Sequence, residues 1–302
     1  MQWVVLSSVK SFQINRYSGS SEAWQSIPVQ DSVIAEEPLE VWLQIPSASP
    51  LPSMEAKALL TLMRTPGDDI NLVTGWLLSS GTINHPSQIK AIHHSGLERV
   101  KQGSSNRVLV TLSAEVNIDL NSFNRQEVAS SACGICGQQS IESILLRLEH
   151  KQHTKALAGP PLKVQDIGKL VAQFTQTLPI FAQTGGNHGV ALFNQYAEVV
   201  DVREDVGRHN ALDKLIGANA ELLFTNDGQT LQLSGGMGVI LSGRVGFEMI
   251  QKAVMANIDY VLALGAPSSL AIELAKEADM ALIGFIKAER FNVYCGQYKL
   301  AV

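Results

Sequence analysis

Hydrophobic positions between residues 238 and 290 change spacing several times. Short apolar runs, typical of buried strands, alternate with segments in which apolar residues recur three or four positions apart, which is typical of helices. Strands are predicted in GVILSGR, YVLALGAPSS and ALIGFIKAER, and helices in FEMIQKAVMA and LAIELAKEA. This alternation predicts parallel strands with helices packed on the faces of the sheet, in an α/β arrangement of three layers.

Weaker patterns extend this α/β unit toward the N-terminus. GVALFN and AEVVDV read as a pair of strands, and DIGKLVAQF as a helix. Apolar residues at helical spacing follow the strand pair at Ala211, Leu212, Leu215 and Ile216. We therefore predict one α/β domain over residues 123–302.

Residues 31–122 have a different pattern, which predicts a small α+β domain. LEVWLQI, LLTLMR and RVLVTLSAEVNIDL indicate strands. After TPGDD, one face of a predicted helix collects four apolar residues, Leu72, Val73, Trp76 and Leu77. Residues 1–30, which contain SGSSEAWQS, lack sustained periodicity and are predicted to be an irregular leader.

Composition excludes several classes of protein. The 302 residues are 45% hydrophobic, enough for a substantial core, and 23 basic against 28 acidic side chains give a net charge of −5. We therefore expect no general attraction to nucleic acid or anionic membranes. Three cysteines in a chain of this length suit a reducing compartment, so the cytoplasm is the expected location.

Three turns with anion-binding residues follow the C-terminal strands. They are Ser242–Gly243–Arg244, residues 265–269 and residues 287–290, and Arg208 follows an earlier strand in the same way. Open α/β sheets bind ligands beyond the carboxyl ends of their strands. Small residues permit close backbone approach and arginines supply forked donors, so the turns predict a basic pocket for a phosphate or diphosphate. The alternative is that these arginines are ordinary solvated or ion-paired surface groups.

Two cysteines lie in the stretch SSACGICGQQ, at Cys133 and Cys136, ahead of a predicted helix. A structural zinc site normally needs a second pair of ligands, but Cys295 is distant and His150 and His153 fall on or past that helix. A thioredoxin-like pair should follow a buried strand, whereas NSFNRQEVASSA is polar. The loop is best suited to a mobile carrier thiol, whose ionised form the helix N-terminus favours.

Other catalytic signatures are missing or ambiguous. A zinc nucleobase deaminase needs His-x-Glu and Pro-Cys-x-x-Cys, but no histidine here has a glutamate two positions on, and residue 132 is Ala. Two histidines remain candidates, His188 in QTGGNHGVAL and His209 beside Arg208. Each can donate to an anion or move a proton, and each can equally be a structural histidine in a turn.

Seven segments together resemble the formate dehydrogenase accessory sulfurtransferase family, FdhD, from about residue 34 to the C-terminus. They are RTPGDD, SACGICG, QTGGNH, REDVGRHNALDKLIG, LSGR with Phe247–Glu248, GAPSSLA and GFIKAERFNVY. The chain departs from the family where GAPSSLA replaces the usual Ser-Ala-Pro-Thr and where IPSASP replaces a tight Asn-Gly turn. Both departures leave the cysteines and the basic turns intact.

The resemblance implies a function and a fold. Members of the family accept sulfur from a cysteine desulfurase as a cysteine persulfide and pass it to the molybdenum cofactor, in its bis-guanine-dinucleotide form, before the cofactor is inserted into formate dehydrogenase. The larger domain of the family resembles cytidine deaminase without the zinc, and its members are expected to be homodimers. No permanently bound metal is expected.

Carried over by position, the persulfide cysteine matches Cys133. The family's cofactor-binding stretch matches six consecutive residues, Phe285, Ile286, Lys287, Ala288, Glu289 and Arg290. We expect the pocket to include four further residues, His188, Arg208, His209 and Arg244. Cys136 is predicted to expel sulfide by attacking the persulfide, to relay sulfur or to tune the loop. Two alternatives remain, a non-catalytic cofactor chaperone and a thiol-disulfide oxidoreductase.

Overall fold

The computed structural model describes residues 8–21, 23–46, 54–95, 106–116, 160–224 and 236–302. In chain order, the strands are β1 (Val9–Ser20), β2 (Ala23–Ile34), β3 (Glu37–Pro46), β4 (Met54–Arg64), β5 (Ile89–His94), β6 (Arg107–Leu112), β7 (Leu162–Lys163), β8 (His188–Phe193), β9 (Val199–Asp205), β10 (Gly238–Leu241), β11 (Tyr260–Ala263), β12 (Ala281–Lys287), β13 (Arg290–Cys295) and β14 (Leu300–Ala301). The α-helices are α1 (Asp69–Ser79), α2 (Val164–Gln176), α3 (Pro179–Thr184), α4 (Arg208–Ala218), α5 (Ala220–Leu223), α6 (Phe247–Met255) and α7 (Ser269–Glu277). Among these helices, none is long and apolar enough to cross a membrane.

The largest sheet has six strands in the order β13-β12-β11-β10-β8-β9. Its central strands β10, β11 and β12 are parallel, as the alternating pattern predicted, and α6 and α7 connect them. β8 runs antiparallel to β10, and β9 and β13 run antiparallel to their neighbours. The parallel centre is therefore extended by the antiparallel pair β8 and β9 at one edge and by the single antiparallel strand β13 at the other.

Helices cover both faces of this sheet because its strands are apolar on both sides. On one face, α4, α6 and α7 bury side chains such as Leu212 and Ile250 against Val239 and Val261. On the other face, α2 packs Ile167, Leu170 and Phe174 against a second set of strand residues, Phe193, Ile240, Leu262 and Ile283. The predicted three-layer α/β arrangement is thus observed. The likeness to cytidine deaminase stays a prediction.

The N-terminal sheet has the order β4-β3-β6-β5, and α1 packs against it. The four apolar residues predicted on one face of α1, from Leu72 to Leu77, are all buried. The same core continues into α4 and the six-stranded sheet, where Leu215 and Val190 belong to it. The two sheets therefore share one hydrophobic core. The predicted domain boundary near residue 122 lies outside the described residues.

Two glycines let α1 and α4 cross with their backbones in contact. A Cβ atom on Gly75 would collide with the carbonyl oxygen of Asp213, and one on Gly217 would collide with that of Asn71. Because only a hydrogen atom fits at each position, the backbones approach more closely than side chains would permit. We call this contact and the buried ion pairs beside it the α1–α4 joint.

The predicted irregular leader is wrong for residues 8–21 and 23–30. These residues belong to a long antiparallel hairpin, β1 and β2, paired from Val9 with Ile34 to Ser20 with Ala23. Within SGSSEAWQS, residues 18–20 and 23–26 are strand ends of the hairpin rather than a loose segment. The hairpin is largely exposed, so burial did not impose the strict apolar alternation from which strands are recognised. Cross-strand pairing of its many polar residues supplies the regular structure instead.

Candidate functional site

One edge of the six-stranded sheet collects the turns that the sequence pattern singled out. The carboxyl ends of β9, β10, β11 and β12 lie there together with the beginning of β8. Because β8 is antiparallel to its neighbours, His188 pairs with Asp205 at the end of β9, and Val190 pairs with Leu241 at the end of β10. We refer to this region as the strand-end edge.

Backbone hydrogen bonds join the turns of this edge to each other. The amide of Gly265 donates to the carbonyl oxygen of Gly243 at 3.2 Å, and that of Phe285 donates to the carbonyl oxygen of Gly265 at 3.1 Å. A Cβ atom on Gly265 would lie 2.6 Å from the oxygen of Gly243, so the stacking of these turns requires glycine. The backbones of the three turns are therefore in direct contact with each other.

Three predicted residues, His188, Arg208 and Arg244, lie close enough to interact electrostatically. Burial lowers the pKa of His188, and the positive charges of Arg208 and Arg244 lower it further. A Cβ atom on Gly243 would lie 3.1 Å from Nδ1 of His188, so the imidazole packs directly over the turn after β10. The structure thus brings together two guanidinium groups and an imidazole whose pKa burial and these charges lower.

Arg208 has an unused donor at the first position of α4. Its Nε atom is buried and has no hydrogen-bond partner among the residues that the structure describes. A buried N–H without an acceptor costs free energy, because the group has lost its water without a replacement. An anionic ligand at this helix N-terminus would supply that acceptor.

The turn that carries Arg208 is fixed by Asp205, which is fully buried. One carboxylate oxygen of Asp205 lies 2.7 Å from Nζ of Lys214 and accepts from the amide of Thr65 at 3.0 Å. The other accepts from the amide of Gly207 at 2.9 Å. Thr65 comes from the N-terminal sheet, and its hydroxyl accepts from the amide that follows Asp205. The N-terminal sheet therefore holds the turn in place.

His209 lies beside Arg208 but faces a different partner, Glu248 in the first turn of α6. Nε2 of His209 is 3.1 Å from Oε2 of Glu248. Burial, with the nearby charges of Lys252 and Arg208, lowers the pKa of His209 to about 3 in spite of this carboxylate. Burial raises the pKa of Glu248. At neutral pH the imidazole is therefore uncharged and suited to donate a hydrogen bond to the glutamate.

The stretch 285–290 lies farther along the edge. Counting neighbours in the sheet, β12 is four strands from β9, which at about 4.8 Å per strand is about 19 Å. The predicted site residues thus fall into two groups, one around Arg208 and the other at the β12–β13 turn. An extended ligand is needed to contact both.

Within this stretch, the six residues differ in what they can offer a ligand. The side chain of Ile286 is buried in the core beneath α2, so only its backbone is available to a ligand, and its place in the cofactor-binding stretch stays a prediction. Lys287 and Arg290 are exposed and pair across the turn that Ala288 and Glu289 form. Phe285 is 46% exposed and has a φ angle of 53°, which is uncommon for a bulky residue. Its ring is available for stacking.

The predicted carrier residues Cys133 and Cys136 lie outside the described residues, as do His150 and His153. Within the described part of the chain, no group of three or more histidine, cysteine, aspartate or glutamate side chains can hold a metal ion. Cys295 is buried, and its thiol donates to the carbonyl oxygen of Met280. Burial raises the pKa of this thiol, which makes it a structural cysteine.

Sequence reasoning missed the side chains that support the edge. Thr65, Asp205, Lys214 and Glu248 were seen only as parts of motifs. A usable signal was present at Lys214, which lies between buried residues of an apolar helix and therefore needs a buried partner. The sequence also indicated that Glu248 lies near this edge, because it comes four residues after Arg244 in the first turn of a helix that follows a strand-end turn.

Known proteins resemble this chain over nearly its whole length. The model of the FdhD/NarQ family matches residues 39–301. A Streptomyces avermitilis protein named sulfur carrier protein FdhD is 34% identical over 275 residues, which cover 90% of each chain. Its Streptomyces coelicolor namesake is 35% identical over 278 residues, again 90% of each chain.

A solved structure has the same fold. It is a crystal structure from Desulfotalea psychrophila described as a formate dehydrogenase accessory protein. It superposes with a TM-score of 0.65 at 21% identity, covering 96% of this chain and 99% of the other. At that identity the likeness concerns the fold alone. From the family match and the two curated relatives, the chain belongs to the FdhD/NarQ family.

Proposed function

We propose that this protein is a sulfurtransferase in the maturation of formate dehydrogenase. In this proposal Cys133 carries sulfur from a cysteine desulfurase, as a persulfide, to the molybdenum cofactor in its bis-guanine-dinucleotide form. The cofactor is the substrate that receives the sulfur and is not a resident group. The two Streptomyces relatives are named sulfur carrier protein FdhD, and these names support the sulfur-transfer part of the proposal.

Sulfur loading is a thiolate exchange. The Cys133 thiolate attacks the terminal sulfur of the desulfurase persulfide, a new sulfur–sulfur bond forms, and the desulfurase cysteine leaves as a thiolate. For release, Cys136 attacks the inner sulfur of the Cys133 persulfide. The terminal sulfur then departs as hydrosulfide and becomes available to molybdenum, while Cys133 and Cys136 are oxidised to a disulfide. Two electrons pass from the cysteines to the transferred sulfur, so the step balances.

The observation that carries the proposal is the strand-end edge around Arg208. Arg208 begins α4, its buried Nε has no acceptor in the described part of the chain, and its charge acts on His188 together with that of Arg244. An overall acidic chain thus has a local site suited to a phosphate or diphosphate. Exposed Lys287 and Arg290 are at the far end of the same edge, where a long dinucleotide can reach them. Binding of these remote groups would place the reacting metal against the persulfide.

Intact-mass spectrometry after incubation with a desulfurase and cysteine tests the carrier role. We expect one sulfur atom added at Cys133, and an adduct only on other cysteines would refute the assignment. Calorimetry with GDP tests the anion site. Arg208→Ala should weaken binding by about 1–3 kcal/mol through loss of charged hydrogen bonds, and Arg244→Ala, Lys287→Ala and Arg290→Ala should each have a smaller effect in that range.

The two alternatives predict different results. A non-catalytic cofactor chaperone predicts that a Cys133/Cys136 double variant still supports formate dehydrogenase maturation. A thiol-disulfide oxidoreductase predicts turnover of a generic disulfide and no affinity for GDP. The expected homodimer belongs to the same proposal, and light scattering of the purified chain tests it.

A further inference from the structure

Glu248 occupies an unusual position at the strand-end edge. It lies in the first turn of α6, four residues after Arg244, and is 22% exposed. One of its carboxylate oxygens is near His209, which begins the neighbouring helix α4 with Arg208. No described residue donates a hydrogen bond to its other oxygen, Oε1, so this acceptor is free for a ligand.

The neighbouring cations do not use this acceptor. Lys252, one turn further along α6, lies 2.8 Å from Asp213 and donates to Ser79 at 3.0 Å. Arg208 is close enough for its charge to act on Glu248, but none of the described residues supplies an acceptor for its buried Nε. Among the described residues, this edge therefore has an unused carboxylate acceptor and, within electrostatic range of it, an unused guanidinium donor.

This combination does not suit a ligand that is only a phosphate. A carboxylate repels phosphate oxygens, so an edge built for phosphate alone would be better without Glu248. A carboxylate is suited to a heterocycle that presents two adjacent N–H donors, because Oε1 is free and Oε2 has a second lone pair besides the one that faces His209. A nearby guanidinium suits the carbonyl oxygen on the same side of such a ring.

A 2-amino-4-oxopyrimidine ring has this arrangement of a ring N–H, an exocyclic amino group and a carbonyl oxygen. Guanine and pterin share it, and hypoxanthine lacks the amino group. Adenine lacks both the ring N–H and the carbonyl oxygen. We propose that Glu248, oriented by His209, recognises the 2-amino-4-oxopyrimidine edge of the bound substrate and so determines the specificity of the site. This inference rests on the proposed function and specifies how one end of its substrate is read.

The neutral state of His209 fits this role. An uncharged imidazole whose Nε2 lies 3.1 Å from Oε2 contacts the carboxylate without adding a positive charge beside it. A histidinium at the same place would compete with the ligand for the carboxylate. Glu248 is therefore a specificity residue and His209 a positioning residue.

Binding of three nucleotides to the purified full-length chain tests the inference. Calorimetry compares GDP, IDP and ADP, which share the diphosphate and differ at the base. For the unaltered chain we expect GDP to bind tightest. In Glu248→Gln, one oxygen becomes an amide donor, so GDP affinity should fall about 10- to 100-fold, as for loss of a charged hydrogen bond. IDP affinity should fall less, and the preference for GDP over IDP should shrink.

A second probe, neopterin monophosphate, separates the two sources of the ring. If Glu248 reads guanine, Glu248→Gln weakens GDP more than the pterin. If it reads the pterin, the order is reversed, and either order supports the inference. Glu277→Gln, at an exposed glutamate on α7, is the matched control and should leave all affinities unchanged.

His209 variants keep the test decisive if Glu248→Gln unfolds, which thermal melting would reveal. His209→Ala should reduce the preference for GDP over IDP, and His209→Gln, which retains an N–H donor, should restore part of it. A purely structural role would change stability without changing that ratio. The inference is overturned if the unaltered chain binds GDP but the ratio and the pterin affinity are the same in every variant. Absence of GDP and pterin binding to the unaltered chain would refute the proposed function together with the inference.

Discussion

The α1–α4 joint and the β1–β2 hairpin both contain ion pairs, but in opposite surroundings. In the joint, Lys214 and Asp205 are 3% and 0% exposed. In the hairpin, Arg16 and Asp31 are 57% and 44% exposed and lie 3.8 Å apart. The same chemistry therefore has different consequences, because only the buried partner is left without water when its counter-ion is removed.

The two regions also differ in the residues that surround their ion pairs. The joint includes Arg64, which is fully buried and donates two hydrogen bonds to Asp69, and Asp213, which is paired with Lys252. The hairpin exposes a row of apolar side chains on one face, among them Phe12 and Ile27. Stability depends more on the joint than on the hairpin. Substitutions in the joint should therefore lower the free energy of unfolding more than substitutions in the hairpin.

The largest effect is expected for Lys214→Met. This change leaves the buried carboxylate of Asp205 without its cation and removes a hydrogen bond to the carbonyl oxygen of Thr65. Breaking a buried pair typically costs about 3–5 kcal/mol of the free energy of unfolding. Urea denaturation measures it, with Lys10→Met as control, since Lys10 on the hairpin is 49% exposed and pairs with Glu37 at the start of β3. A loss below about 1 kcal/mol would show that the joint and the hairpin do not differ in this way.

Gly75→Ala should follow, with a loss of about 2–3 kcal/mol, because its methyl group forces α1 away from α4. Urea denaturation measures this loss of free energy of unfolding as well. Gly168→Ala on α2 is the matched control, since a Cβ atom there meets only one ordinary contact at 3.6 Å and alanine favours a helix. If both variants are equally stable, the close backbone approach is not required.

A smaller effect concerns acid sensitivity near the joint. The pKa of His209 is about 3 in the folded chain and near 6.5 when unfolded, so the unfolded state binds the proton first and stability falls as the pH decreases from 6.5 toward 3. At pH 5 this amounts to about 1–2 kcal/mol, opposed in part by Glu248, whose raised pKa favours the folded state in acid. His209→Gln should therefore flatten the decline between pH 7 and pH 5. An unchanged slope in urea unfolding would contradict the assignment.

The smallest effect is expected in the hairpin. Arg16→Ala and Ile27→Ser, at side chains 57% and 50% exposed, should change the free energy of unfolding by less than about 0.5 kcal/mol. Urea denaturation of the two variants and of the unaltered chain measures this change. A loss above about 1 kcal/mol for Ile27→Ser would show that the apolar face of the hairpin is covered in solution.

The parts of the fold that the sequence predicted are those where burial fixes the residue pattern. Strands β10 to β12 and the apolar face of α1 were found because each buried position must be apolar. The turns of the strand-end edge followed from the rule for parallel sheets. By contrast, the hairpin is exposed and therefore has no pattern imposed by a core.

Sequence patterns did not predict the long-range contacts between polar residues. Thr65 and Lys214 are separated by 149 positions, and no local periodicity relates them. Ile286 illustrates the opposite limit, since motif matching selected it by position while the alternation of the strand turns its side chain into the core. Which side chain of a matched segment faces a ligand depends on strand register.

The three hydrogen bonds that Thr65 makes to Asp205, Val206 and Lys214 imply that the protein cannot be divided into modules. A fragment beginning after residue 159 would keep all six strands of the large sheet and every basic side chain of its edge. It would nevertheless lose Thr65, whose hydrogen bonds hold the turn that carries Arg208. Transplanting the C-terminal half into another protein should therefore transfer the six-stranded sheet without the contacts that fix the turn of Arg208.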